Sequence, residues 1–165
     1  MKIEHLQERI DDYCQSVEKV IDKKTLWQST TKPLLLSVLN RITEKYRIGW
    51  KVQQLNWLTS NESINITFDA YPETLIQQNK VPASHEFITG CALIFSQAYN
   101  GEIHIFILFP IVDNLDVEES TLQLGIYNPQ EITEKLIIEK VDEFLKEMIN
   151  WEVPMEKKRL GFKTN

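Results

Sequence analysis

Residues 92–109 read Ala-Leu-Ile-Phe-Ser-Gln-Ala-Tyr-Asn-Gly-Glu-Ile-His-Ile-Phe-Ile-Leu-Phe, two strand-like runs on either side of Asn100-Gly101. Asn-Gly between β-branched and aromatic runs is the strongest short-range hairpin signal, because both residues accept the positive φ of a two-residue turn. Such a turn fixes the register of the strands that flank it. Tyr99 then faces Glu102, Gln97 faces His104, Phe95 faces Phe106 and Leu93 faces Leu108. On the other side Ala98 meets Ile103, Ser96 meets Ile105, Ile94 meets Ile107 and Ala92 meets Phe109. The second face sets small residues against large ones, as a sheet does where helices press on it. The first is polar near the turn and apolar further along. The hairpin is therefore expected to be buried on both sides over part of its length, by helices on both faces or by a partner.

Upstream of the hairpin, Trp50 and Val52 alternate in one phase and Leu55 and Trp57 in the other, which predicts a β-bulge near Gln53-Gln54. Ile64, Ile66, Phe68 and Ala70 alternate with Asn65, Thr67 and Asp69, the pattern of a strand with one wet face. Residues 71–84 hold Pro72 and Pro82 and read as a loop with at most one helical turn. Downstream, Thr121 to Tyr127 reads as a further strand with Leu122, Leu124 and Ile126 on one face.

Helices frame these strands. Ile3, Leu6, Ile10, Tyr13, Val17 and Val20 recur at spacings of three and four, a narrow apolar stripe expected to dock on the chain's own sheet, since a coiled coil wants more heptads. A second helix opens at Thr31 or Lys32 with Pro33 in its first turn, runs through Leu35, Leu36, Leu39, Ile42 and Tyr46, and ends by Gly49. A last helix is marked by Asn128 as cap, Pro129 at its first position and Glu131 three residues after the cap; it continues to about Trp151, before Pro154. The fold class is α+β: two N-terminal helices, a four- to five-stranded mostly antiparallel sheet and one C-terminal helix. Residues 1–153 form a single domain and 154–165 a loose basic tail. The order of elements resembles PAS- and GAF-like sensor folds, a likeness that implies no activity.

The 165 residues, 42% of them hydrophobic and 25% charged, suit one globular domain. No apolar run is long enough for a membrane helix, the longest being interrupted by His104 and Pro110, and the first residues lack a signal-peptide centre; a cytoplasmic protein with no membrane partner is expected. Of the net charge of −6, the segment 48–127 carries −7, with only Lys51 and Lys80 as cations. Clustered Lys and Arg bind phosphate backbones, so this segment argues against nucleic acid, with Lys157-Lys158-Arg159 and Lys163 too few for more than an accessory contact. Cys14 and Cys91 match no zinc or redox spacing and read as free thiols, and the Asn61 and Asn65 sequons carry weight only in a secreted chain.

Chemistry-bearing motifs are scarce. Five glycines cannot build a phosphate cradle, and a nucleophile elbow, a HExxH helix and a CxxC pair are absent from the sequence. Neither a catalytic set nor a cofactor is expected, and the sequence favours a non-enzyme. Three constellations remain. Gln97, Tyr99, Glu102 and His104 share the polar end of the expected hairpin face, where a His beside a carboxylate suits acid–base work and an exposed tip explains the polarity equally. His85, Glu86, Asp113 and Asp116 offer hard oxygen ligands and one imidazole for a cation in a metal-assisted hydrolase, although Pro110 interrupts the ladder that would bring them together. Phe87, Leu93, Phe95, Phe106 and Leu108 form either core or a partner surface.

The leading expectation is a small acidic protein-binding accessory module, chaperone-like or immunity-type, bound to a different protein or to a second copy of itself. Its partner-binding candidates are Asp113, Asp116, Glu118 and Glu119 with Phe95 and Phe106. The alternative is a small-molecule sensor whose pocket lies between sheet and helices, lined by Trp50, Trp57, Phe95 and Phe106.

Overall fold

The helical backbone runs without a break from Ile3 to Lys45 in the computed structural model, which describes residues 1–56, 61–110 and 120–153. A 3₁₀ turn (Ile3–Leu6) leads into α1 (Gln7–Leu26), a π-helical turn (Trp27–Thr31) and α2 (Lys32–Lys45). Two separate helices were expected, the second opening at Thr31 or Lys32 with Pro33 in its first turn. Proline has no N–H to donate and its ring crowds the carbonyl four residues back, here that of Ser29. The π turn lies over that carbonyl, so the helix widens there instead of ending.

The chain leaves α2 through Gly49, whose φ of +90° is in the region only glycine adopts freely. Its carbonyl accepts from Asp69 N (2.9 Å) and Ala70 N (3.2 Å), and a Cβ there would come within 2.1 Å of Ala70 O. Five strands follow: β1 (Trp50–Asn56), β2 (Glu62–Phe68), β3 (Ala92–Gln97), β4 (Ile103–Leu108) and β5 (Thr121–Tyr127). They form one antiparallel sheet in the order β1-β2-β3-β4-β5. A short α3 (Glu73–Gln77) interrupts the β2–β3 connection. After a 3₁₀ turn at Pro129–Glu131, α4 (Glu134–Glu152) closes the described chain. The cap of α4 is Thr133, whose hydroxyl accepts from Leu136 N at 3.2 Å, while the expected cap Asn128 serves the 3₁₀ turn before it through Glu131. The fold is thus α+β, with an N-terminal helical region, a five-stranded antiparallel sheet and a C-terminal helix.

The β3–β4 register differs from the expected one by a single residue. Ala98 N donates to Glu102 O and Gly101 N to Ala98 O, so the loop holds three residues, Tyr99-Asn100-Gly101, with Gly101 at φ +87°. Phe95 therefore pairs with Ile105, Leu93 with Ile107, Ile94 with Phe106 and Ser96 with His104. The slip carries every side chain of β4 to the opposite face from the one expected. Phe95 and Phe106 lie on opposite sides of the sheet.

With that register one sheet face is almost wholly apolar: Trp50, Val52, Ile64, Ile66, Phe68, Leu93, Phe95, Ile103, Ile105 and Ile107. The helices α2 and α4 cover it with Leu35, Val38, Leu39, Ile137, Val141 and Phe144. Phe68 links the layers, stacked on Trp50 (ring centroids 5.5 Å apart) and touching Phe144 (5.6 Å). Leu93 and Phe95 are therefore core, whereas Phe106 and Leu108 sit half-buried on the face away from α2 and α4.

Three further expectations are corrected. β1 pairs regularly with β2 from Trp50↔Phe68 to Asn56↔Glu62, so there is no bulge at Gln53-Gln54. The irregularity lies instead between β4 and β5, where Ile105 pairs with Gly125 and Phe106 with Gln123, leaving Leu124 as the extra residue. It sends Leu122 to the helix-covered side and Ile126 to the other. The Leu124 carbonyl accepts from Lys140 Nζ (3.1 Å), which also bonds Glu143 (2.9 Å). Finally, β2 does not have one wet face, because Ser63 and Asn65 are buried as deeply as Ile64 and Ile66.

Candidate interaction surface

Among the described residues, helix α1 is held at one end only. The Glu62 carboxylate, at the start of β2, collects Trp27 Nε1 (2.9 Å) and Gln28 Nε2 (3.1 Å) from the π turn and Lys32 Nζ (3.1 Å) from the first turn of α2. Burial pushes the Glu62 carboxyl up, but these donors and the Lys32 charge outweigh it and hold it below the ordinary 4.5. Thr31 Oγ1 donates to Pro129 O at 3.3 Å, tying the same turn to the entrance of α4. The β3–β4 loop presses on the last turns of α1: a Cβ on Gly101 would lie 2.6 Å from Lys23 Cβ and 3.4 Å from Val20 O.

Beyond this anchorage every residue from 1 to 19 is exposed. The stripe therefore does not dock on the sheet as expected. The helix-facing side of the sheet is already filled by α2 and α4, and the Glu62 clamp fixes the π turn where α1 leads off. Ile3 is 83% exposed, Ile10 52% and Tyr13 69%, with Leu6, Val17 and Ile21 beside them. Only Trp27, seven residues beyond Val20 on the same stripe, enters the core. The opposite side of α1 is polar, with Glu8, Asp11, Asp12, Glu18 and Asp22, and carries an Arg9–Asp12 ion pair (2.9 Å). Cys14 is exposed on α1 and Cys91 is buried, both as free thiols.

The other candidate residues do not assemble into a site. Gln97 is buried on the helix-covered face while His104 sits on the opposite one and Tyr99 in the loop, so the polar hairpin set is split. His104 instead joins Ser96 and Ser63 in a row across three strands. Ser63 Oγ is buried with no hydrogen-bond partner among the described residues and lies two strands from His104, so Ser63 lacks the nucleophile–base contact of an activated serine. His85 and Glu86 are exposed, and Asp113, Asp116, Glu118 and Glu119 lie outside the described residues, as do Trp57 and the 154–165 tail. Among the described residues no three His, Cys, Asp or Glu side chains group as metal ligands, and no helix is long and apolar enough to cross a membrane.

Trp50, Phe95 and Phe106 do not share a cavity. Trp50 lies in the core with its Nε1 donating to Tyr46 O, Phe95 is fully buried, and Phe106 is on the far face. An apolar cleft of about 560 Å³ opens elsewhere, between the C-terminal half of α4 and the β2–β3 connection, walled by Tyr71, Phe87, Leu145, Met148 and Trp151. Tyr71 and Phe87 meet edge-on at 5.1 Å on its rim.

No family model, curated protein or solved structure matches this chain. The stripe on α1 was legible in the sequence as an amphipathic pattern. Its freedom was not, because the same spacing serves a helix docked on its own sheet. Glu62 was missed as well: in sequence it belongs to the polar turn Ser60-Asn61-Glu62, and only the fold brings three helical donors to it.

Proposed function

We propose that this chain is a small acidic, cytoplasmic, non-enzymatic accessory module that binds another protein, in the manner of a chaperone-like or immunity-type factor, with α1 as its binding face. The observation that carries the reading is the free apolar stripe from Ile3 to Val17 on a helix exposed over its whole first half. Monomeric soluble proteins rarely leave a continuous apolar surface of several hundred Å² in water, and an amphipathic helix presents its anchors at the i, i+3, i+4, i+7 positions that a groove or a second helix reads. In this reading the acidic residues Asp113, Asp116, Glu118 and Glu119 steer a basic partner, and nucleic acid is disfavoured by the −7 charge of residues 48–127.

Native mass spectrometry of the chain purified gently from its own host tests this. The expected result is an added mass of a whole protein chain that disappears in the Leu6→Asp/Ile10→Asp double variant. A complex that survives the variant removes α1 from the account.

A second reading, small-molecule sensing, is favoured by the apolar cleft with Tyr71, Phe87 and Trp151 in its walls. Its signature is an added mass of hundreds of daltons only, together with a rise in melting temperature when that molecule is returned to the bare chain.

A further inference from the structure

The stripe has the spacing of a coiled-coil seam, although at 18 residues from Ile3 to Val20 it is a short one, below the three to four heptads of a stand-alone coiled coil. Ile3, Ile10 and Val17 recur every seven residues, as do Leu6, Tyr13 and Val20, giving a and d positions that begin in the 3₁₀ turn, cross the exposed residues 3–19 and end at the half-buried Val20. We propose that α1 pairs with α1 of a second copy of this chain, antiparallel, and that this pair is the assembly in which the module works. The inference rests on the protein-binding reading above and names its partner.

Self-complementarity supports a second copy as the occupant. Two antiparallel helices place each a position opposite a d position. With the two-fold axis level with Asp11 and Asp12, Ile3 meets the partner's Val20, Leu6 meets the partner's Val17, and Ile10 meets the partner's Tyr13. The three layers then repeat by symmetry, and no layer contains a polar residue. The pattern is isologous, as a two-fold dimer requires. From their fractional exposures, Ile3, Leu6, Ile10, Tyr13 and Val17 present roughly 600 Å² per copy. Complete burial of these five side chains on both copies would remove roughly 1,200 Å², so with flanking side chains such as Gln7 and Ile21 the pair lies at the low end of specific interfaces, about 1,200–2,000 Å².

The orientation follows from what lies at the C-terminal end of the seam. The next a position is Lys24 and the next d position, Trp27, is fully buried in its own domain, while the β3–β4 loop sits against Val20 and Lys23. A parallel pair brings both domains to that end, on the side of the seam where the other helix must lie. An antiparallel pair puts the domains at opposite ends and sets the helix dipoles head to tail. The same register brings Lys2 beside the partner's Lys23, a like-charge contact at each end of the seam that solvent and salt screen.

Sedimentation equilibrium on the purified full chain, from about 5 to about 500 μM, tests the pairing, since an interface at the small end of the specific range is expected to dissociate at low concentration. The wild type should rise from the 19.4 kDa chain mass toward twice that value. Leu6→Asp/Ile10→Asp should stay at the single-chain mass and melt as the wild type does at low concentration, because both side chains are exposed and unneeded by the core. A wild type that remains single across the range overturns the pairing while leaving capture of a different protein open. A dimer that persists in the variant overturns it too, by placing the interface elsewhere. Nitroxide labels on Lys2→Cys in a Cys14→Ser background read the orientation. The antiparallel register offsets them by roughly 28 Å along the axis at 1.5 Å per residue, so distances of about 30 Å are expected. Distances near 15 Å would overturn the antiparallel arrangement.

Discussion

Glu62 gathers donors from two successive helical segments onto one carboxylate, with the Lys32–Glu62 pair mostly shielded from water (side chains 19% and 15% exposed). Removing its charge leaves Lys32 unpaired, and hydrogen bonds to charged groups contribute about 1.5–3 kcal/mol each in mutational series. Glu62→Gln keeps an acceptor for Trp27 and should cost about 1–3 kcal/mol by urea unfolding. The pH dependence has a definite sign. The folded-state pKa is depressed below 4.5, so the stabilisation is fully present above that value and is lost as pH falls through the folded value. Wild type and variant should converge in stability on acidification. A constant gap down to pH ~2 would show that the carboxylate charge is not what holds the π turn. Lys140 is the mirror case. Burial pulls its pKa down, but Glu143 and Tyr127 outweigh that and raise it, so its contact with the Leu124 carbonyl persists at neutral pH and is lost only as alkaline pH rises through the raised value.

At the scale of elements, the β3–β4 hairpin shows how one backbone angle distributes side chains over a sheet. Gly101 closes a three-residue loop at φ +87°, and that loop touches Lys23 and Val20 of α1. Gly101→Ala carries a left-handed backbone cost of about 1–2 kcal/mol, and the added methyl must displace Lys23. The expected outcome is a loss of at least that size in chemical denaturation. A loss below ~0.5 kcal/mol would mean that the loop relaxes without consequence for α1. The elements themselves were well marked in the sequence: β5 and α2 begin and end within a residue or two of expectation, and the single helical turn in 71–84 is present as α3. Pairing was not legible. In four of the six cross-strand pairs of this hairpin both residues are apolar, so alternation could not choose between registers one residue apart.

The whole molecule divides into a domain whose core lies between one sheet face and two helices, and a helix that leaves it. Amide hydrogen exchange should report that division. In dilute solution the amides from 3 to 19 are expected to exchange well ahead of those in β2, β3 and α4, because these residues are exposed. Protection of α1 should rise with protein concentration if the helices pair. Slow, concentration-independent exchange in α1 would show that its exposed stripe is covered within one chain. The sensor and metal readings fare differently at this scale. Of the aromatics expected around one pocket, Trp50 and Phe95 lie on one sheet face and Phe106 on the other, while Trp57 and two of the four candidate ligands, Asp113 and Asp116, lie outside the described residues.

By itself the sequence determined the class, the order of the elements and boundaries such as those of α2 and β5, since these follow from local periodicity and proline positions, while the break after α1 and the start of α4 differ from expectation. It also determined that α1 is amphipathic and that charge gathers in residues 48–127. Tertiary structure alone decided the hairpin register, the site of the bulge, the convergence of Trp27, Gln28 and Lys32 on Glu62, and the side of the sheet that the helices occupy. Each depends on contacts between residues distant in sequence or on a backbone angle at one loop glycine. An apolar stripe states that a helix must cover something; which surface it covers depends on what the rest of the fold has already filled.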